Sequence, residues 1–290
     1  MKQIKIASIW LCLLIGLIAC NNPKESDNQI VSVTIEPQRY FAEQIAGEAW
    51  TIHCVVPSGQ SPETYDPTPQ QIIQIGKSRA YLRIGPIGFE QTWMDKIKEN
   101  HPQLPLFDLS EGMPMIHSDE EHHHHTHAEG DPHIWNSIQG AKIIAANTLQ
   151  AFKQLDPEHS DKYETNYNKL MQTIQATADS LHAMLDPLTE RSFIIYHPAL
   201  TYFAEEFGLK QLCIEMEGKE PSPAQLKQLV ETAHEQQTHV VFIQQEFDQK
   251  NAELIAKETG CQLEVIHPLN YDWQREMIHI AKTLTHGKAD

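Results

Sequence analysis

Seventeen histidines stand in this chain of 290 residues, and six of them, His117, His122, His123, His124, His125 and His127, lie between positions 117 and 127. Asp119, Glu120, Glu121 and Glu129 are interleaved with them or flank them. Neutral imidazole and carboxylate together suit borderline divalent ions such as zinc. No apolar side chain lies between Ile116 and Ala128, so the segment has no burial to offset its ordering entropy and is expected to be mobile. Mobile histidines form weak, exchanging sites, which fits sensing or delivery of an ion. An internal purification tag is the bland reading, but the flanking acids and the immediately following Asp131-Pro132-His133 argue against it. A tight site must be sought elsewhere. His133 precedes a helix that opens near Ser137, and His197 follows the apolar run Phe193 to Tyr196. Both stand where open parallel sheets place ligands.

Composition narrows what such a site could serve. With 22 Lys+Arg against 39 Asp+Glu, the net charge is −17, which excludes a phosphate-backbone partner. Neither Gly-x-Ser-x-Gly, Gly-x-x-x-x-Gly-Lys nor Gly-x-Gly-x-x-Gly occurs, so serine hydrolysis and nucleotide binding lack a basis. His234 and His239 are five apart, roughly 140° around a helix, and cannot share one ion as in zinc proteases. A zinc hydrolase built on three histidines and a water is the alternative from a different class; a surface adhesin is another.

The elements that must position these residues follow from hydrophobic spacing. Short β-type runs at Ile30 to Ile35, Thr51 to Val56, Ala80 to Ile84 and Leu104 to Phe107 alternate with helical patterns at Gln38 to Ala46, Pro69 to Ile75 and Gly88 to Glu99. The scheme repeats at Ser192 to Tyr196, Lys210 to Ile214, His239 to Gln244 and Leu263 to Ile266, with helices from about Ala199, Pro223, Gln249 and Trp273. Such alternation predicts an α/β chain of two lobes, each a parallel four-stranded sheet flanked by helices. Between them, Tyr163, Tyr167, Leu170, Ile174, Ala178, Leu181 and Leu185 mark one helix, with Asp156 as N-cap and Pro157 at its first position. At 1.5 Å per residue about 28 residues span roughly 42 Å, so a rigid connector is expected to run the height of both lobes and to permit little hinge motion. The expected divisions are a signal at 1–19, a tether at 20–29, an N-terminal lobe at 30–155, a connector at 156–187 and a C-terminal lobe at 188–290.

Lys2 and Lys5 followed by the apolar Ile9 to Ala19 read as an export signal, too short to span a bilayer. Ala19-Cys20 resembles a bacterial lipobox, which implies a lipidated Cys20 at the start of the mature chain and a lipid, not a helix, at the membrane. Cleavage removes two of the 22 basic residues and none of the 39 acidic ones, leaving −19. Of the five cysteines, Cys54, Cys213 and Cys261 then remain. An odd number at wide spacing is no disulfide framework, although Cys213 and Cys261 could pair in an oxidising compartment.

Several stretches together carry a resemblance: Ser61-Pro62-Glu63-Thr64-Tyr65-Asp66-Pro67-Thr68-Pro69, Asp131-Pro132-His133-Ile134-Trp135, Tyr196-His197-Pro198-Ala199-Leu200-Thr201-Tyr202-Phe203, Glu220-Pro221-Ser222-Pro223 and Glu258-Thr259-Gly260. From Ile30 to Leu284 the chain resembles the solute-binding lipoproteins of bacterial zinc and manganese ABC importers, and the acidic histidine segment resembles the zinc branch. The resemblance implies a monomeric, non-enzymatic receptor, lipid-anchored in the cell envelope, that passes one ion to a membrane permease. The ion would be zinc ahead of manganese or iron. It also implies one metal between the lobes, held by three histidines and a late aspartate. Here Glu63 stands where the first histidine is expected and His267, in Ile266-His267-Pro268-Leu269, where the aspartate is expected. The exchange is reciprocal, so Glu63, His133, His197 and His267 still offer three imidazoles and one carboxylate. Gln245, Glu246 and Asp272 are candidates for outer groups that orient the ligands, with a solvated surface role equally open for each.

Overall fold

The computed structural model describes residues 29–117, 130–215 and 219–286. Cys20 and its signal, and His122 to His127, lie outside the described residues.

The first sheet contains β1 (Ile30–Val33), β2 (Thr51–Cys54), β3 (Ala80–Arg83) and β4 (Leu106–Asp108) in the order β2-β1-β3-β4. The second contains β5 (Ser192–Ile195), β6 (Lys210–Cys213), β7 (Val240–Gln244) and β8 (Gln262–Ile266) in the order β6-β5-β7-β8. All pairings are parallel. Parallel strands require crossovers, supplied by α1 (Glu36–Ala46), α2 (Pro69–Gly76) and α3 (Gly88–Asn100) in the first half. In the second half they are α6 (Thr201–Glu206), α7 (Pro223–Glu235) and α8 (Lys250–Thr259). The same local chemistry opens one helix in each half. Thr68 and Ser222 each accept a hydrogen bond from the backbone of the glutamine three residues on, with proline at the first helical position. Both sheets reverse direction beside their first strand, between β1 and β3 and between β5 and β7. Such switch points open a crevice at the carboxyl ends of the strands.

Three helices pack behind this crevice: α4 (Ile138–Leu155), α5 (Ser160–Leu185) and α9 (Trp273–His286). The connector α5 carries the expected stripe, with Tyr163, Leu170, Ile174, Ala178, Leu181 and Leu185 buried and Tyr167 partly so. Its start differs from expectation. Pro157–His159 form a separate 3-10 turn, and the Asp156 carboxylate accepts from Tyr163 Oη at 2.6 Å instead of capping the helix. Contacts to α1, α4 and α9 place α5 against both halves.

The lobes share one core. Buried side chains of β1, α1 and α4 run continuously into Phe193, Phe203, Trp273 and Ile280 of the second half. Two indoles pin the join: Trp135 Nε1 donates to the Pro268 carbonyl at 2.8 Å and Trp273 Nε1 to the Trp135 carbonyl at 2.7 Å. Asn136 Nδ2 donates to the Ala199 carbonyl at 2.8 Å, and Tyr271 Oη reaches Glu43 of α1 at 2.6 Å. No helix among the described residues is long and apolar enough to cross a membrane.

Candidate metal centre

His197 follows β5 after Tyr196, at the switch point of the second sheet. A tight turn, Ala199 N–H to the His197 carbonyl at 2.7 Å, sets the ring facing the crevice, and α6 begins only at Thr201. Gln244, at the end of β7, fixes the backbone from the other side: its Oε1 accepts from His197 N–H at 3.3 Å and its Nε2 donates to the His197 carbonyl at 2.6 Å. His133 comes from the other half, on the turn that leads through Ile134–Asn136 into α4, whose N-cap is Ser137. Glu63 lies in the loop after β2. It is held by the first turn of α3, where Gly88 N–H donates to Glu63 Oε2 at 3.1 Å. Gly88 is required there, since a Cβ would lie 2.4 Å from the Glu63 carbonyl oxygen.

These three side chains converge. One donor atom each from Glu63, His133 and His197 lies within 4.8 Å of the others. The two Nε2 atoms are 3.3 Å apart, and Glu63 Oε1 is 3.9 Å from His133 Nε2. Two nitrogens bound to one tetrahedral zinc at 2.0–2.1 Å are separated by roughly 3.3 Å. Glu63 Oε1 is buried and has no hydrogen-bond partner among the described residues. Such an orphaned oxygen is costly unless a cation or donor meets it.

The far side of each ring explains why both Nε2 atoms face inward. His133 Nδ1 is 2.8 Å from Asp131 Oδ1, and His197 Nδ1 is 3.3 Å from both oxygens of Glu215. A carboxylate accepts only, so each Nδ1 carries the proton and each Nε2 presents a lone pair. Two lone pairs facing at this distance repel unless a proton or a metal sits between them. Burial opposes charge on His133, but Asp131 and then Glu63 and Glu215 outweigh it and raise its pKa. For Asp131 too, burial is overcome by His133, and its pKa is lowered. Around these rings Phe247 stacks on His197 at 5.3 Å and Trp135 lies 5.2 Å from His133. The cleft is lined further by Ser61, Gln244, Glu246, Pro268 and Leu269, with no Lys or Arg among its lining residues.

Of the four expected ligands, the structure thus brings together Glu63, His133 and His197 and leaves His267 outside the group. Pro268 and Leu269 beside it line the cleft, whereas His267 does not. β8 is the outer strand of its sheet, one position removed from the switch point, and Glu276 of α9 holds His267 by accepting from its backbone N–H at 2.7 Å. Of the histidine segment, His117 is described and exposed. The segment's base closes beside the centre, where Asp131 N–H meets the Ile116 carbonyl at 2.8 Å. Sequence reasoning assigned no role to Asp131 or Glu215. Asp131 was visible as the aspartate two residues before His133. Glu215 had no local signal: the β5/β6 register, Ile195 opposite Cys213, continues so that 215 falls beside 197.

Two parallel sheets with switch points facing a common cleft, and a donor cluster drawn from both halves, define a two-lobed α/β protein with a candidate metal centre between its lobes. Residues 31–287 match the family described as "ZnuA: Zinc-uptake complex component A periplasmic", and the chain belongs to that family. Among relatives, the high-affinity zinc uptake system protein ZnuA of Bacillus subtilis is 28% identical over 281 residues, covering 90% of this chain and 86% of its own length. The zinc-binding lipoprotein AdcA of Streptococcus pneumoniae is 25% identical over 289 residues, covering 93% of this chain. This chain spans only 56% of that relative. A crystal structure of ZnuA superposes with a TM-score of 0.83 at 35% identity, covering 89% of this chain and 98% of the other. A zinc-bound ZnuA deletion mutant gives 0.84 at 34%, covering 91% and 99%. A laminin-binding adhesin of Streptococcus agalactiae, at 21% identity, 88% and 98% coverage and a TM-score of 0.76, shares the fold alone.

Proposed function

We propose that this protein is an extracytoplasmic receptor that captures a divalent cation, zinc ahead of manganese or iron, and delivers it to the membrane permease of an ABC importer. The observation that carries this reading is the pair of Nε2 atoms 3.3 Å apart, each ring held at Nδ1 by a carboxylate, facing the unpartnered Glu63 Oε1. Glu63 and His133 from the first lobe and His197 from the second hold the ion, and a further donor from the second lobe completes the set. Imidazole-rich sets favour zinc over the oxygen-preferring ions, and Glu63 can bind through one or two oxygens. The histidine segment, rooted at Ile116 and Asp131 beside the centre, collects ions at low affinity and passes them inward. Cys20 carries a lipid that keeps the receptor in the cell envelope, and the receptor acts as a monomer without catalysing a reaction. The shared core and the α5 connector make capture a matter of side-chain and loop shifts, and docking on the permease distorts the ligands to release the ion.

Metal analysis of untagged protein, followed by calorimetry with zinc and manganese in competition, tests this. One tightly held zinc per chain, not displaced by equimolar manganese, is the expected result. Preferential retention of manganese would overturn the zinc assignment, and no tight ion at all would overturn the receptor reading.

A further inference from the structure

His133 is carried by residues 131–138 of the first half, yet the second half holds that stretch. The Asn136 and indole bonds grip its middle. At its end Glu206, the last residue of α6, accepts from Ile138 N–H at 2.7 Å. At its start stands Tyr202, in the first turn of α6 and only 4% exposed. Its Oη accepts from Ile116 N–H at 3.2 Å and donates to the Asp131 carbonyl at 2.8 Å, with Met115 Sδ at 3.7 Å. Ile116 and Asp131 share one backbone bond, Asp131 N–H to the Ile116 carbonyl. Opposed residues of an antiparallel pair exchange two such bonds; here the Tyr202 hydroxyl stands in the place of the second. Burial pushes its pKa up to about 12, so it keeps the proton it donates. Asp131 is thereby fixed through both its N–H and its carbonyl. Its Oδ1 accepts from His133 N–H at 2.8 Å and meets His133 Nδ1 at 2.8 Å, so a shift of Asp131 passes straight to the ring. Since α6 also begins four residues after His197, one short helix anchors the approach to both imidazoles.

Resting on the receptor reading above, we infer that Tyr202 is a positioning residue of the metal centre: from the second half its hydroxyl locks Asp131, and through Asp131 the His133 ring, at the point where the histidine segment leaves and rejoins the fold. The hydroxyl itself makes no contact with the ion. It keeps the two ends of that segment, Ile116 and Asp131, paired beside the centre. It also ties His133 to the half that supplies His197, so the two imidazoles hold their spacing when the Glu63 loop shifts.

Zinc calorimetry on the full chain carrying Tyr202→Phe, Asp131→Asn, both together, or His133→Ala tests the assignment. Tyr202→Phe removes one oxygen and keeps the ring. It is expected to lower zinc affinity by about tenfold, the low end of the loss on perturbing an outer partner. That loss should vanish when Asp131 is already Asn, because the two residues act along one path. Nitrogen-15 spectra of the histidine-labelled, metal-free protein at alkaline pH give a second readout, with His133 assigned by the loss of its signals in His133→Ala. Wild type should show His133 protonated at Nδ1, and Tyr202→Phe a mixture of the Nδ1–H and Nε2–H forms. Unchanged affinity or an unchanged His133 spectrum in Tyr202→Phe, or an equal loss in the Asp131→Asn background, overturns the inference and leaves Tyr202 a packing residue. If Tyr202→Phe fails to fold, the wild-type spectrum decides, since His133 protonated at Nε2 would show that Asp131 does not hold the ring. Should wild type bind no zinc, or His133→Ala bind as wild type does, the receptor reading itself fails, while the metal-free spectra still decide the role of Tyr202.

Discussion

Asp131 and Glu215 do for the centre what its ligands cannot do for themselves. Each fixes a proton on Nδ1 and so aims the opposite nitrogen of His133 or His197 at the shared point. Replacing His133 or His197 by Ala is expected to abolish tight zinc binding in calorimetry. Asp131→Asn and Glu215→Gln should each weaken it by about 10- to 100-fold while the fold is retained. Protons compete with the ion for the same lone pairs. Since the His133 pKa is raised by Asp131 against the opposing effect of burial, its protonated form persists to higher pH than in a free imidazole. Zinc affinity should therefore begin to fall, on acidification, above the ordinary histidine range; a titration flat down to pH values well below about 6.5 would contradict this.

Elements set the reach of these residues, and two glycines show how little slack they have. Gly88 opens α3 against Glu63, and Gly140, in the first turn of α4, has the Ile134 carbonyl oxygen 1.8 Å from where a Cβ would stand. Gly88→Ala should displace Glu63 and lower zinc affinity with a small change in melting temperature. Gly140→Ala should lower both, because Ile134 follows His133 directly. Glu90 of α3 joins the ends of β1 and β3: it accepts from Thr34 Oγ1, from Ile84 N–H at 2.8 Å and from Gly85 N–H at 3.2 Å. Burial pushes its pKa up to about 7 despite those donors. A carboxyl with a raised folded pKa contributes stability that is complete below the unfolded value near 4.5 and is lost as pH climbs toward 7. Urea midpoints of the metal-free protein, compared with Glu90→Gln over that window, should fall more steeply in the wild type; parallel curves would place the Glu90 pKa lower.

At the scale of the whole molecule, the continuous core and the indole bonds between halves make the two lobes one stiff body. Zinc should raise the melting temperature strongly, since an ion present at about a thousand times its Kd adds about 4 kcal/mol, and a chelator should reverse the shift. Small-angle scattering should change little between the two states; a large contraction on loading would reveal domain closure instead. Deleting residues 117–127 should leave one tight zinc per chain and remove only the weak ions, whereas loss of the tight ion would place the principal site in that segment.

The alternation of strand and helix and the α5 stripe were legible in the sequence, because hydrophobic period and local composition are properties of neighbours along the chain. Glu63, His133 and His197 were legible as motif positions, each at the end of a strand or beside a helix start. Their convergence, the exclusion of His267 from the group and the two carboxylates behind the rings were decided by tertiary structure. Each depends on strand order and on the register between segments far apart in the chain. A one-position difference in sheet order separates the end of β7 from the end of β8, and no pattern within either strand carries that information.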